Sequence, residues 1–594
     1  MKNKKSTTGN AFDLKLFKRL ISYTSAYKKT FYFVGFAAIM LSALGVLRPY
    51  LLKIAIDKGI VAQDLDTTQF YIIMMLVVLI GEVIFQFSFI YFANWLGQQV
   101  IRDLRVQLFE HMMGFKKQYF DNSAVGRLVT RAVSDIETIA SIFSQGLFMI
   151  ISDLLKMIAV LIVMFYQSWQ LTLLILTVLP FIIYATRVFQ KKMKIAFEEV
   201  RTQVSNLNTF VQERITGMKI VQIFNREKTE YQNFKKINEK HKKAWIKTVW
   251  YNAIFFPIAE MSTSITIGLI VWFGGLRVVE SDALSLGIII MFIELTQMLF
   301  RPLRQIADKF NSLQMGMVAA NRVFKIIDTD SRIPNQGKLI AKDIKGKIEF
   351  KDVKFSYIEN EEILKGISFD INPGETIAIV GATGAGKSTV VNLLSRYYDI
   401  DSGQIIIDDH NVRDYELGSL RNEIAVVLQD VFLFADSIQK NITLSNPDID
   451  ENDVVRAAKD IGVHDFIMSL PNGYDYNVKE RGAMLSSGQR QLISFLRAYV
   501  TNPAVLVLDE ATSSIDSYSE QLIQNATEKL TKGRTSIIIA HRLATIKNAD
   551  KIIVMEQGEI VEMGSHDDLL GSGGYYKKLY EAQFENQDHD IQEA

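Results

Sequence analysis

Two kinds of hydrophobic pattern divide the chain. Up to about Pro302 long apolar runs recur, and from about Gly346 short β-branched runs alternate with stretches of helical period. A helix that crosses a bilayer needs about 20 mostly apolar residues. Six runs qualify, roughly 31–53, 70–94, 142–166, 170–190, 250–275 and 285–302. Only "YQSWQ" separates the third from the fourth, which predicts a tight hairpin. Six such runs are hard to bury in a water-soluble bundle, so this half reads as membrane-spanning. The connections 97–141 and 191–249 keep helical period and hold few breakers, so the spans are expected to continue as helices well beyond the bilayer. Residues 12–28 place Phe12, Leu16, Phe17, Leu20 and Tyr23 on one face, with Lys15, Lys18 and Arg19 elsewhere. Such a helix either lies in the membrane interface with its cations at headgroups or packs on protein.

Composition adds bounds. At 594 residues the chain exceeds one globular domain. The net charge of +1 names no partner, and the absence of Cys excludes disulfides and thiolate metal sites. Lys2, Lys4 and Lys5 open a polar N-terminus with no apolar segment at signal-peptide length, so no cleavage is expected. Basic connections stay inside. The segment before the first span and the connections 97–141 and 191–249 are basic, whereas 54–69 holds Asp57, Asp64 and Asp66 against Lys58. Both termini are therefore expected in the cytosol. Charges within spans are costly and face a partner or an aqueous route. Asp153 and Lys156 lie three apart on one helix face and are expected to pair. Glu82, Glu260 and Glu294 have no local partner and are candidates for a substrate pathway.

The second half carries phosphate chemistry. In "ETIAIVGATGAGKSTVVNLLSR" a strand runs into Gly381, Ala382, Thr383, Gly384, Ala385, Gly386, Lys387 and Ser388, and then into a helix that begins around Thr389. This is G-x-x-x-x-G-K-[ST] in its strand–loop–helix setting. The glycines let backbone N–H groups turn around phosphate, Lys387 supplies a point charge, Ser388 suits Mg²⁺, and the helix N-terminus adds favourable partial charge. In "AVLVLDEATSS" a buried strand ends at Asp509, placed for Mg²⁺, and Glu510 follows, placed to polarise an attacking water. The strand "TSIIIAHR" delivers His541. A second turn, "LSSGQ" (Leu485, Ser486, Ser487, Gly488, Gln489), also looks built to hold an anion.

With these motifs the chain resembles the ATP-binding cassette (ABC) exporters, type IV and B-subfamily-like: a half-transporter of six spans and one nucleotide-binding domain. The resemblance covers nearly the whole chain. It implies an all-α six-helix membrane domain followed by an α/β P-loop domain, with a RecA-like core and antiparallel β and helical subdomains. It also implies a dimer, in which "LSSGQ" caps the ATP held by the partner's P-loop. Tyr357 matches the aromatic that stacks on adenine, Gln429 the loop that senses Mg²⁺ and attacking water, and Asp516 the loop crossing to the other subunit. By the same resemblance His541 contacts the γ-phosphate. "KERG", Lys479 to Gly482, resembles the segment touching the partner's membrane loops. "FDNSAVGRLVTRAVSDIETI" and "ERITGMKIVQIFNRE" resemble the two inner coupling loops. Ser487 departs from the commoner Gly of the signature. With Glu510 and His541 intact this fits a homodimer that tolerates Ser, slightly favoured, or the catalytically complete half of a heterodimer.

The resemblance implies an ATPase that uses ATP and Mg²⁺ to export amphipathic drugs or lipids by alternating access. The expected boundaries are 1–30 for the N-terminus with its elbow helix, 31–325 for the membrane domain, 326–345 for a linker, 346–582 for the nucleotide-binding domain and 583–594 for a polar tail. A dedicated flippase of lipids or lipid-linked glycans is the alternative, for which Arg48 and Lys156 are too few cavity cations. An ATP-gated regulator or channel is the alternative of another class, against which Glu510 stands. Six spans exclude a soluble cassette ATPase acting on nucleic acid. The expected setting is a bacterial cytoplasmic membrane, with lipids and an amphipathic substrate as further partners.

Overall fold

A computed structural model describes residues 13–280, 284–358, 360–509, 517–540 and 543–583. The chain divides into two compact units, one of Met1–Met113 with Ala124–Asp330 and the other of Gly114–Ser123 with Ser331–Ala594. Ten residues inside the first expected inner loop thus belong with the second unit.

Among the described residues of the first unit six helical segments are long and apolar enough to cross a membrane. Leu65–Met113, Trp169–Thr216 and Glu227–Glu280 have 49, 48 and 54 residues. At 1.5 Å per residue the first is about 74 Å long, more than twice a bilayer core of about 30 Å. The continuation beyond the apolar runs is therefore as the missing breakers predict. The hairpin turns on one residue. The helix Phe148–Gln167 stops, Ser168 takes an extended conformation, and its Oγ caps the helix beginning at Trp169. Large apolar side chains such as Phe70, Ile73, Val77, Ile80, Ile84 and Phe87 stay exposed along one span, as a lipid solvent requires. The unit's core is built from Leu171, Ile175, Ile270, Phe292, Leu295 and Leu299.

The amphipathic segment resolves as packed on protein. Its helix Leu14–Ser22 starts at the N-cap Asp13, buries Leu20, and commits Arg19 to Asp328 at 2.7 Å, over the ring of Phe324. Phe12 lies outside the described residues.

One expected ion pair is replaced. Asp153 pairs with Lys309 of the helix Leu286–Ile327, not with Lys156. Lys156 instead points toward Glu82: its Nζ and the Glu82 Oε1 both lie 3.6 Å from where a Cβ on Gly45 would stand. Glu82 also faces Arg48 at 3.9 Å. Sequence spacing offered a partner on the same helix, but a charge taken out of water goes to whichever partner packing brings against it.

Among the described residues of the second unit ten strands form two sheets: β1 (Ile348–Ile358), β2 (Glu361–Ile371), β3 (Thr376–Val380), β4 (Ser402–Ile407), β5 (His410–Asn411), β6 (Ile424–Val427), β7 (Val505–Asp509), β8 (Thr535–Ile539), β9 (Lys551–Glu556) and β10 (Glu559–Gly564). The order β2-β1-β4-β5 makes an antiparallel sheet, and β10-β9-β3-β8-β7-β6 a sheet that is parallel except at its β9–β10 edge. β3, β7 and β8 are near-continuous apolar runs because both faces of a parallel sheet are covered. Alternate residues feed two cores. Ala378, Val380, Leu506, Leu508 and Ile538 enter one, while Ile377, Ile379, Val505, Val507 and Ile537 enter the other.

Candidate functional site: the nucleotide cradle

β3 lies between β8 and β9, and β7 lies on the other side of β8. The loop after β3 and the end of β7 are therefore one strand apart at the carboxyl edge of the sheet, where ligands of open α/β folds bind. Two glycines shape that loop. Gly381 has φ +153°, and a Cβ there would stand 2.2 Å from the Met555 carbonyl oxygen. Gly386 has φ +102°, and a Cβ would meet Leu364 at 2.8 Å. Any side chain at either position would force the cradle open.

Lys387 starts the helix Lys387–Leu394 and is 8% exposed. Its Nζ donates to the Gly381 carbonyl at 2.6 Å and the Ala382 carbonyl at 3.1 Å. Burial pushes this ammonium below the ordinary lysine value, and the negative charge of Asp509 opposes the shift. A buried cation inside a loop of backbone dipoles is complementary to polyphosphate. Ala382, Thr383, Gly384 and Ser388 line the exposed side, whereas Ala385 and Thr389 are buried beneath it. Gln429 follows β6, whose Val427 pairs with Leu508, so Gln429 and Asp509 leave the sheet at the same edge. β8 points its carboxyl end there too, but His541 lies outside the described residues, as do Glu510 and Asp516.

Tyr357, at the end of β1, donates from its hydroxyl to Thr389 Oγ1 at 3.3 Å and accepts from Asn392 Nδ2 at 3.2 Å. Its ring stands edge-on to Phe355 and Tyr398, with centroids 4.8 and 5.0 Å away. Tyr398 in turn donates its hydroxyl to Asp121, and Lys117 reaches Asn392 at 3.2 Å. Sequence reading missed Tyr398, Asn392 and Lys117, and it placed Asp121 in a coupling loop without a partner. An aromatic pair after a helix carries no signal of a partner 277 positions away.

The second anion-holding turn lies elsewhere in the same unit. Leu485 is buried, and Ser486 is the N-cap of the helix Ser487–Val500. Its Oγ accepts from the Gln489 N–H at 3.2 Å, while its own N–H donates to Gln489 Oε1 at 3.0 Å, a reciprocal capping box. Ser487 is helical and exposed with a negative φ, and Gly488 is buried. Leu492, Ile493, Phe495 and Leu496 of this helix enter one core, and Val390, Val391, Leu393 and Leu394 of the P-loop helix enter the other. The two helices thus pack on opposite faces of the six-stranded sheet.

The profile of the "ABC transporter transmembrane region" matches residues 31–303, and that of the "ABC transporter" cassette matches 364–513. The chain is 37% identical, over 96% of its length and all of the relative's, to a "Putative multidrug export ATP-binding/permease protein" of Staphylococcus aureus. It is 35% identical to the "Uncharacterized ABC transporter ATP-binding protein YknV" of Bacillus subtilis, over 95% of this chain and 94% of the relative. It is also 35% identical to the "ATP-dependent lipid A-core flippase" of Syntrophus aciditrophicus, over 96% and 94%. The chain belongs to the ABC transporter family. As an ABC transporter it joins a multi-pass membrane region to one ATP-binding cassette, an ATPase coupled to movement across the membrane.

Within the membrane region of this ABC transporter the three candidate carboxylates differ in setting. Glu82 is mostly buried and faces the cations Arg48 and Lys156. Glu294 is half-buried on Leu286–Ile327 and makes no ion pair among the described residues, and Glu260 is exposed on Glu227–Glu280.

Proposed function

We propose that this ABC transporter works as a dimer of two half-transporters that exports amphipathic compounds, drugs or lipids, by alternating access. The observation that carries this reading is the separation of the two phosphate-holding helices by the central sheet. Ser486 and the N-terminus behind it serve a triphosphate best when a second copy presents them to the other P-loop. A homodimer is the simpler form, because Ser487 takes its place in the signature helix with ordinary backbone geometry.

The roles follow the geometry and the family resemblance together. Gly381 to Thr389 cradle the triphosphate, Tyr357 stacks on adenine, and Ser388, Gln429 and Asp509 hold Mg²⁺. The donor types suit that ion: one carboxylate, one hydroxyl and one amide oxygen leave the remaining positions to phosphate and water, as Mg²⁺ prefers. Glu510 orients the attacking water with Gln429, His541 contacts the γ-phosphate, and Asp516 reaches the second subunit. Both termini and the cassette lie in the cytosol of a bacterial cell, as the basic inner connections support. Two relatives are named for multidrug export and lipid A-core flipping, which supports an amphipathic substrate. Glu82 serves chiefly as counterion to Arg48 and Lys156, and Glu260 and Glu294 are kept as substrate-route candidates for their place in the spans alone.

The test is ATPase rate and oligomeric mass of the chain in lipid nanodiscs, for the wild type and Glu510→Gln. A dimer is expected, with turnover in the variant down about a thousandfold or more while ATP binding persists. Amphipathic compounds are expected to change the wild-type rate. A monomer without turnover would overturn the homodimeric reading.

A further inference from the structure

Residues 114–123 leave and rejoin the membrane unit at Met113 and Ala124 yet form part of the second unit. Phe115 bridges to Arg332, and the Lys116 N–H donates to the Ser331 carbonyl at 2.7 Å, so the segment is fixed at its start by backbone bonds. Its short helix Lys117–Asp121 carries two contacts that converge on one target. Asp121 accepts from the Tyr398 hydroxyl, and the Tyr398 ring stands edge-on to Tyr357 at 87°. Lys117 donates to Asn392 Oδ1, and Asn392 donates to the Tyr357 hydroxyl. One path holds the Tyr357 ring and the other its hydroxyl.

Tyr398 is 8% exposed with the segment in place, and its hydroxyl is given to Asp121. Burial, and then the Asp121 carboxylate, raise its pKa far above the usual phenol range. It remains a donor at every working pH, and a phenol–carboxylate bond belongs to the strong, charge-assisted class. A displacement of the segment would part this donor from its carboxylate, and the Tyr398 ring would shift with it. The ring it would disturb first is Tyr357.

We infer that Tyr398 is a positioning residue that ties the pose of the adenine-stacking Tyr357 to the place of the segment 114–123, so that affinity for the base, more than for the triphosphate, depends on that segment. This rests on the reading of Tyr357 as the adenine platform. The path touches the P-loop helix only at Thr389 and Asn392, on the Tyr357 hydroxyl, whereas Gly381, Gly386 and Lys387 are shaped by Met555, Leu364 and the loop's own carbonyls.

The experiment compares binding of ATP and of tripolyphosphate, which lacks the base, to the full chain in nanodiscs. Asp121→Asn and Tyr398→Phe are each expected to weaken ATP about three- to tenfold, the effect of one lost hydrogen bond. Tripolyphosphate binding is expected to change less than about twofold. The double variant is expected to be no weaker than the worse single one, because both remove the same contact. The exposed Lys117→Met, which threatens no core, is expected to shift ATP in the same sense. Equal weakening of both ligands, no weakening of ATP, or full additivity overturns the inference. Tyr357→Ala separates it from the reading beneath it. If that change fails to weaken ATP relative to tripolyphosphate, the platform assignment itself is wrong. If it succeeds while Asp121→Asn and Tyr398→Phe do nothing, only the inference fails.

Discussion

Ser487 is the residue where the chain departs from the commoner signature, and its backbone geometry accommodates a side chain. A glycine is obligatory where φ is positive or where a Cβ would collide, as at Gly381 and Gly386. Ser487 meets neither condition: it opens the helix Ser487–Val500 with a negative φ and an exposed side chain. Ser487→Gly is therefore expected to leave ATPase turnover within about threefold of wild type and to lower stability by no more than about 1 kcal/mol, from helix propensity alone. Steady-state ATPase and thermal melts decide it. A rise in turnover above about tenfold would mean that the partner's nucleotide needs a closer backbone approach than Ser allows. The residues of the cradle were legible in the sequence because phosphate binding demands fixed residue types at fixed spacing. The pairing of Tyr398 with Asp121 was not, since nothing local to either says what it will meet.

At the scale of elements, the spans, their long helical extensions and the hairpin at Ser168 follow from apolar run length and the lack of breakers, which are local properties. The pairing of Asp153 with Lys309 and the gathering of Lys156 and Glu82 were not legible, because helix rotation and packing decide them. The segment "KERG" shows a third case, in which sequence marks a function and the structure adds a cost. Lys479 has φ +58° and ψ −174°, a region that glycine almost alone adopts, and Arg481 follows at φ +54°. Such residues cost about 1–3 kcal/mol each and persist where the surroundings fix them. Lys479→Gly relieves that strain while adding freedom to the unfolded chain, so a gain of about 1 kcal/mol in cassette stability is expected. The loop would also become looser. If it transmits closure to the partner's membrane loops, substrate stimulation of the ATPase should fall while the basal rate holds. Unchanged stimulation in a chain shown by melting to be stabilised would confine the strain to folding.

For the whole molecule, the placement of the P-loop and signature helices on opposite faces of one sheet makes a prediction that no single chain can meet. A Lys387→Ala chain keeps a sound signature turn, and a chain altered at the signature by Gly488→Asp keeps a sound P-loop. In the proposed dimer either chain alone puts one lesion in every nucleotide site, so each is expected to be nearly inactive. In a mixed dimer both lesions fall on one site, and the other site is built from two sound halves. Random mixing of equal amounts makes about half of the dimers mixed, each with one of two sites sound, so about a quarter of wild-type sites should recover. If the cycle needs both sites, recovery appears in single-turnover trapping of nucleotide before it appears in steady-state turnover. Recovery of sites on mixing places the two cradles in different chains of one complex. If mixing restores nothing, while mass measurements show that mixed dimers form, the signature turn acts on its own chain's nucleotide and the dimer must serve another purpose.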